Sequence, residues 1–276
     1  MKVGSDDGRI TEAARVGVAV VVAVLTSAAI VILFSLSVLA PVLEDIEYAR
    51  APSAARAYEI AQTHFNAVDA SEYDILRAEY YFREALRLDP SMPLVRHELA
   101  RIAFLRGLFS SALWLIDEEI RLNPEPSPSS YYMRALIKGF SQDYLGAVED
   151  YETYFALAPA NWGAINDYAW VLLKASAPSV ALEALEWGLR EWPNNPWLLN
   201  STAIALFELG RYEEAREAAS RAAAEVEHVT RAEWLYAYPG NDPLVAGEGL
   251  AAFQEAVRAN LEKIEETLED SKGESS

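Results

Sequence analysis

Cysteine is absent from this 276-residue chain, histidine occurs three times, and glycine and proline occur thirteen times each. Without cysteine there can be no disulfide, no thiolate zinc site and no lipid carried on a cysteine, although the absence suits oxidising and reducing compartments alike. The histidines, His64, His97 and His228, show no HExxH spacing. His64 and His97 fall 33 residues apart, but a metal pair would still need carboxylate partners, so each reads as an ordinary solvated histidine. So little glycine and proline excludes a collagen-like or wholly disordered chain. Basic residues are also scarce: 23 Lys and Arg stand against 42 Asp and Glu, a formal net charge of −19. Segment 1–15 sums to zero, so the deficit lies in the body, which would repel phosphate backbones and excludes nucleic acid as the partner class. What is plentiful is apolar, 52% of the residues, ample for a core.

Charge is missing altogether from VGVAVVVAVLTSAAIVILFSLSVLA, residues 16–40. As a helix at ~1.5 Å per residue it would span about 37 Å, against a hydrocarbon core of roughly 30 Å, so it is read as a transmembrane helix crossing with some tilt. A cleaved signal peptide has a shorter apolar region, and Pro41 directly after Ala40 would hinder cutting. Lys2, Arg9 and Arg15 before the span, against Arg50 and Arg56 beyond it, orient a short tail to the cytoplasm and the body outward. Ala19, Ala23 and Ser27 form a small-residue stripe that would let another membrane helix approach.

The body repeats. Prolines recur at Pro90, Pro124, Pro159 and Pro193, in steps of 34, 35 and 34. An alanine stands twelve residues before each, at Ala78, Ala112, Ala147 and Ala181, and Ala215 continues the series. Four residues after these come Phe82, Ile116, Tyr151 and Leu185. A second series, Ala100, Ala135, Ala169 and Ala203, leads by twelve. Small residues at such fixed positions mark where two helices cross closely, since a large side chain would hold them apart. The prolines end each second helix. Pro93 and Pro196 suit the first turn of the following helix, with Asn194 or Asn195 as a cap.

The period, the paired small residues, the large residue and the terminal proline, with LFSSA and GRYEEA opening second helices after Gly107 and Gly210, resemble the tetratricopeptide repeat. Departures are Arg96, Ile165 and Leu199 where that family has tryptophan, an extra residue and Tyr154 in the third repeat, and Glu227 in place of the last proline. The resemblance implies an all-α, right-handed α-solenoid. The organisation expected is a tail at 1–15, the transmembrane helix at 16–40, a linker at 41–52, about five repeats over 53–227, a capping segment at 228–270 and a tail at 271–276. The first repeat carries an insertion, NAVDASEYD, that does not align. Asp242-Pro243 opens the final capping helix, over about 243–269.

Catalytic patterns are missing: there is no GxSxG, GEG at Gly247–Gly249 follows no strand, and Asn200-Ser201-Thr202 lies inside a predicted helix, a poor glycosylation acceptor. No cofactor or metal is implied, and no enzyme. In proteins of the resembled family first-helix residues line a concave surface that holds a peptide or helix. Carried onto this sequence, that surface comprises His97, Arg101, Phe104, Tyr132, Leu136, Phe140, Asn166, Trp170, Lys174, Asn200, Ile204 and Phe207. The function expected is a membrane-anchored scaffold binding a protein, as an accessory or assembly subunit of a membrane complex, in a bacterial inner membrane with the repeats extracytoplasmic. A client-binding chaperone of secretion, envelope or cytochrome maturation and an organelle import receptor with a cytosolic repeat domain are the alternatives.

If the alanine register is right, enlarging Ala215 to leucine overpacks a helix crossing. Ala215→Leu should cost about 1–3 kcal/mol in denaturant unfolding; an unchanged midpoint would refute the register.

Overall fold

The computed structural model describes residues 18–19, 21–27, 39–123 and 125–273. Residues 16, 17, 20 and 28–38 of the apolar run, the repeat proline Pro124, and residues 1–15 and 274–276 of the expected tails lie outside the described residues. The chain divides into two compact units, Met1–Pro52 and Ser53–Ser276. In the first, residues 18–19, 21–27 and 39–50 are helical, so the stretch expected as a linker is helix through residue 50. Ala19, Ala23 and Ser27 lie exposed in these helical stretches. Among the described residues no helix is long and apolar enough to cross a membrane.

The second unit is five helical hairpins and a cap. The hairpins are α1 (Ala54–Phe65) with α2 (Ile75–Leu88), α3 (Val95–Leu105) with α4 (Phe109–Leu122), α5 (Pro128–Phe140) with α6 (Tyr144–Leu157), α7 (Trp162–Lys174) with α8 (Pro178–Glu191), and α9 (Pro196–Glu208) with α10 (Tyr212–Val226). Then come α11 (Arg231–Ala237), a 3-10 turn at Pro243–Val245 and the long α12 (Ala246–Gly273). The expected cap is therefore two helices, and α11 begins where Thr230 and Glu233 exchange hydrogen bonds as a capping box.

Every alanine of the two series, from Ala78 to Ala215 and from Ala100 to Ala203, is fully buried. So are Phe82, Ile116, Tyr151 and Leu185, which fill the space beside each crossing. Removing an aliphatic side chain of this size from water stabilises by about 1.5–3 kcal/mol. On the last hairpin the small face also receives the cap: Ile264 joins Ala215 and Ala219, and Val257 joins Leu199, Ala222 and Val226.

The helix ends follow local chemistry. Helices α2, α6 and α8 each stop two residues before Pro90, Pro159 and Pro193. The last second helix, with Glu227 where a proline would stand, runs 15 residues instead of 14. Asn195 caps α9 by accepting the Leu198 N–H at 3.0 Å, and Pro196 takes the first helical position. Pro93, by contrast, lies ahead of its helix. Leu94 takes a left-handed conformation, φ 68°, so α3 begins only at Val95. The buried Glu119 holds that turn, accepting the Leu94 N–H at 2.6 Å.

Successive first helices touch one another more extensively than successive second helices do, so the stack curves with α3, α5, α7 and α9 on its inner side. In each of the last four hairpins one residue between the helices is left-handed: Gly107, Gln142, Ser176 and Gly210, with φ of 71°, 69°, 59° and 72°. Glycine meets this at no steric cost, whereas glutamine and serine are strained there. Gln142→Gly and Ser176→Gly are therefore each expected to stabilise by about 0.5–1 kcal/mol, read as a raised Tm; a lower Tm in both would show that the side chains contribute more than the strain costs.

Candidate functional site

The inner face is crossed by the protein's own chain. After α11, residues Tyr238–Asp242 form a strap that returns along the first helices. Trp197, at the start of α9, donates its indole N–H to the Tyr238 hydroxyl at 3.0 Å. On the strap's far side Arg101 of α3 donates to the Pro239 carbonyl at 2.9 Å, and the Tyr73 hydroxyl donates to the Gly240 carbonyl at 2.9 Å. Tyr73 lies in the insertion after α1 that the repeat register could not place. The strap thus ties the fifth hairpin to the first two. Gly240 has φ 85°, and a Cβ there would come within 2.9 Å of the Arg101 guanidinium and 3.0 Å of the Phe65 ring, so only glycine allows this approach.

Strap and inner helices border a partly open chamber of about 260 Å³. Its walls come from Arg101 and Phe104 on α3, Tyr132, Met133, Leu136 and Phe140 on α5, Trp162, Asn166 and Asp167 on α7, Trp197 on α9, and Tyr238 and Pro239 of the strap. More open depressions lie elsewhere, one of about 540 Å³ by Trp192 and His228 and one of about 430 Å³ by Arg83 and Trp114. The chamber is distinguished by its aromatic walls and its single carboxylate. Asp167 accepts the Tyr132 hydroxyl at 2.5 Å. Burial pushes its carboxyl up to about 6, against hydrogen bonds from Tyr132 and Asn166 that favour the charged form. Burial, reinforced by the Asp167 charge, holds the Tyr132 phenol well above its ordinary 10.0.

Of the residues expected on the concave surface, Arg101, Phe104, Tyr132, Leu136, Phe140 and Asn166 come together around the chamber. Trp170 packs on Phe140, ring centres 5.0 Å apart, and fits because Gly139 offers no side chain. His97 lies buried between hairpins, its Nδ1 3.3 Å from the Ser130 hydroxyl, and burial lowers its pKa to about 4. Lys174 is exposed at the end of α7, and Ile204 is half-buried on α9; neither lines the chamber. On the last hairpin the cap covers what would have been groove: Asn260 donates to Asn200 at 3.0 Å, and the Lys263 ammonium sits 5.2 Å from the centre of the Phe207 ring. Asn200, within its Asn-Ser-Thr triplet, is therefore engaged inside the fold, and Thr202 is buried.

Sequence reasoning missed Asp167, Met133, Trp162, Trp197 and the strap. Trp162 and Trp197 recur 35 residues apart, one residue off the 34-residue step that relates these two repeats, so the period did not pick them out. The strap had a turn signal in Pro239-Gly240, but nothing that said where the turn docks, because a segment beyond the repeats carries no register. Among the described residues no group of three or more His, Asp or Glu could hold a metal ion.

His97 and Asp167 act oppositely on stability. His97 titrates at about 4 folded against 6.5 ordinarily, so the unfolded chain binds its proton first and stability falls as pH drops below 6.5. Asp167 titrates at about 6 against 3.8, so the folded chain binds its proton first and stability rises as pH drops through 6. Between pH 6.5 and 5 the two contributions offset each other. Asp167→Asn should expose the histidine slope, losing up to about 1.4 kcal/mol per pH unit on acidification. Denaturant titrations over this window check it; parallel wild-type and variant slopes would refute the assignment.

No family model matches the chain, and no curated protein matches it by sequence. Solved structures do match in fold. A tetratricopeptide repeat protein from Parabacteroides merdae superposes with a TM-score of 0.54 at 14% identity, over 80% of this chain and 89% of that one. MamA of MSR-1 gives 0.53 at 18% identity, over 63% and 97%. A second MamA structure gives 0.52 at 18% identity, over 63% and 92%. At such identities the likeness speaks for architecture alone, and with the five stacked hairpins it establishes a tetratricopeptide-repeat fold.

Proposed function

We propose that this chain is a non-enzymatic scaffold whose inner face holds an extended segment of a protein partner, and that the apolar run at 16–40 anchors it in a membrane. The observation that carries the reading is the strap. The inner face already grips a turn of the protein's own chain through main-chain carbonyls, at Pro239 and Gly240, with Arg101 and Tyr73 as donors. Main-chain recognition of this kind asks little of the ligand's side chains, so a partner segment can be held beside the strap by the same chemistry. Phe140, half exposed at 50%, offers apolar surface at the chamber.

The membrane part rests on sequence and on exposure. Val18, Val21, Val22, Val24 and Leu25 all stand exposed, an apolar surface that water disfavours and lipid would accept. In this reading the protein is a single-pass bacterial inner-membrane protein with an extracytoplasmic body, serving as an accessory or assembly subunit of a membrane complex. Protease treatment of spheroplasts tests the orientation: the repeat unit should be digested in spheroplasts and protected in intact cells.

The partner test is purification of the full chain in mild detergent, with mass spectrometry of what stays bound. Phe140→Asp should remove the partner while leaving the Tm within a few degrees. Trp114→Asp, which alters an exposed aromatic on α4 away from the inner face, should keep it. A partner retained by Phe140→Asp and lost by Trp114→Asp would transfer the binding surface to the outer face.

A further inference from the structure

Asp167 differs from the ion-paired acids of this fold in having no cation among the described residues. Asp150, more fully buried, is clamped by Arg134 at 2.5 Å and by Lys138 at 2.7 Å. Glu98 holds Arg101 at 2.6 Å, and Glu79 is paired with both Arg83 and Arg106. Glu119, the other buried acid without a cation, spends one oxygen on the Leu94 N–H and the Asn123 amide and faces no chamber. Asp167 receives hydrogen bonds from Tyr132 and Asn166, and among the described residues no basic side chain pairs with it. It nevertheless lines the partly open chamber under the strap.

A carboxylate withdrawn from water is costly unless a positive charge comes to it. The one basic residue in the chamber wall, Arg101, is already neutralised by Glu98 and committed to the strap. The chamber's charge is therefore negative. Its other walls include Tyr132, Trp162, Trp197 and Tyr238, and aromatic rings attract cations most when water is excluded. With its pKa at about 6, Asp167 is ionised at neutral pH and available to a cation. A neutral or acidic group placed here would meet an uncompensated carboxylate, whereas a guanidinium or ammonium would satisfy carboxylate and rings together.

We propose that the chamber is a specificity pocket for a lysine or arginine side chain of the segment that docks on the inner face. This rests on the scaffold reading above, and it adds what that reading lacks, a chemical requirement on the partner. The acidic body, with its net charge of −19, would draw such a segment in, and binding would weaken with salt.

The test uses the full chain in detergent, labelled with 15N-tryptophan, the indole signals of Trp162 and Trp197 being assigned by their phenylalanine variants. Butylguanidinium and butylammonium are titrated as side-chain mimics, with 1-pentanol as the uncharged control. Saturable shifts of the two indoles by the cations, and none by the alcohol, are expected. Asp167→Asn, which keeps an oxygen to accept from Tyr132, should weaken cation binding by about tenfold or more. Trp114→Asp, on α4 away from the chamber, should bind as wild type does. Equal binding of the alcohol, unchanged binding by Asp167→Asn, or no saturable shift would each overturn the proposal. A short polyalanine peptide with one arginine should bind more tightly than butylguanidinium; weaker binding would overturn the side-chain source and leave a site for a free organic cation. A partner that survives in detergent but binds equally to wild type and Asp167→Asn sinks this pocket alone. Cation binding by a chain whose partner ignores Phe140→Asp sinks the scaffold reading alone.

Discussion

Paired helices approaching at methyl-sized side chains is the constraint on which the rest of the structure depends. Each crossing brings a buried alanine of a first helix against the second helix of the same hairpin, from Ala100 with Ala112 to Ala203 with Ala215. The short distance this allows lets Ile116, Tyr151 or Leu185 fill the remaining space, and it lets each hairpin lie flush on the next. A hairpin alone buries only one side. The first hairpin is covered by the second, and the last by α12, whose Val257 and Ile264 close the row. Without that cap the small face of α10 would stand open to water, which is why a solenoid needs a different element at its end.

Solenoid contacts are ordinarily between neighbours, and the strap departs from this. It carries Tyr238 to Trp197 of the fifth hairpin and Gly240 to Tyr73 of the first, so the ends of the arc are coupled through one segment. The physical consequence is that an open trough becomes a chamber. Aromatic residues that would have lined an exposed surface, such as Trp162 and Trp197, border this partly open space, and the charge of Asp167 acts in a setting where water screens it less. The strap's own polar groups stay satisfied because its carbonyls accept from Arg101 and Tyr73.

The acidic character of the chain is managed unevenly. Several ion pairs join residues three or four apart with an exposed arginine, such as Arg87 with Glu84 and Arg121 with Glu118, and contribute little to stability. The shielded Asp150 couples Arg134 and Lys138 across the third hairpin; removing either partner would leave a charge without compensation. His97, a buried base kept neutral, and Asp167, an acid kept from losing its proton easily, both reflect desolvation, and their opposite signs offset each other between pH 6.5 and 5.

The sequence by itself determined the hairpins, their period and their register, because close helix packing admits only small residues and repeats them at a fixed interval. Alanines 34 or 35 apart and prolines after second helices are local necessities, visible without coordinates. Half of the expected surface residues also lie at the chamber, since first-helix positions three and four apart must share a face. Only the tertiary structure decided what occupies that face. Asn200 and Phe207 share the groove register of Asn166, yet α12 covers them, and Pro93 misses its helix because Glu119, 25 residues away, holds Leu94 in a left-handed turn. The strap joins Gly240 to Tyr73, 167 residues apart, through two segments outside the repeat. Periodicity describes what neighbouring repeats must share; a contact made once, between segments distant in the chain, leaves no period to read.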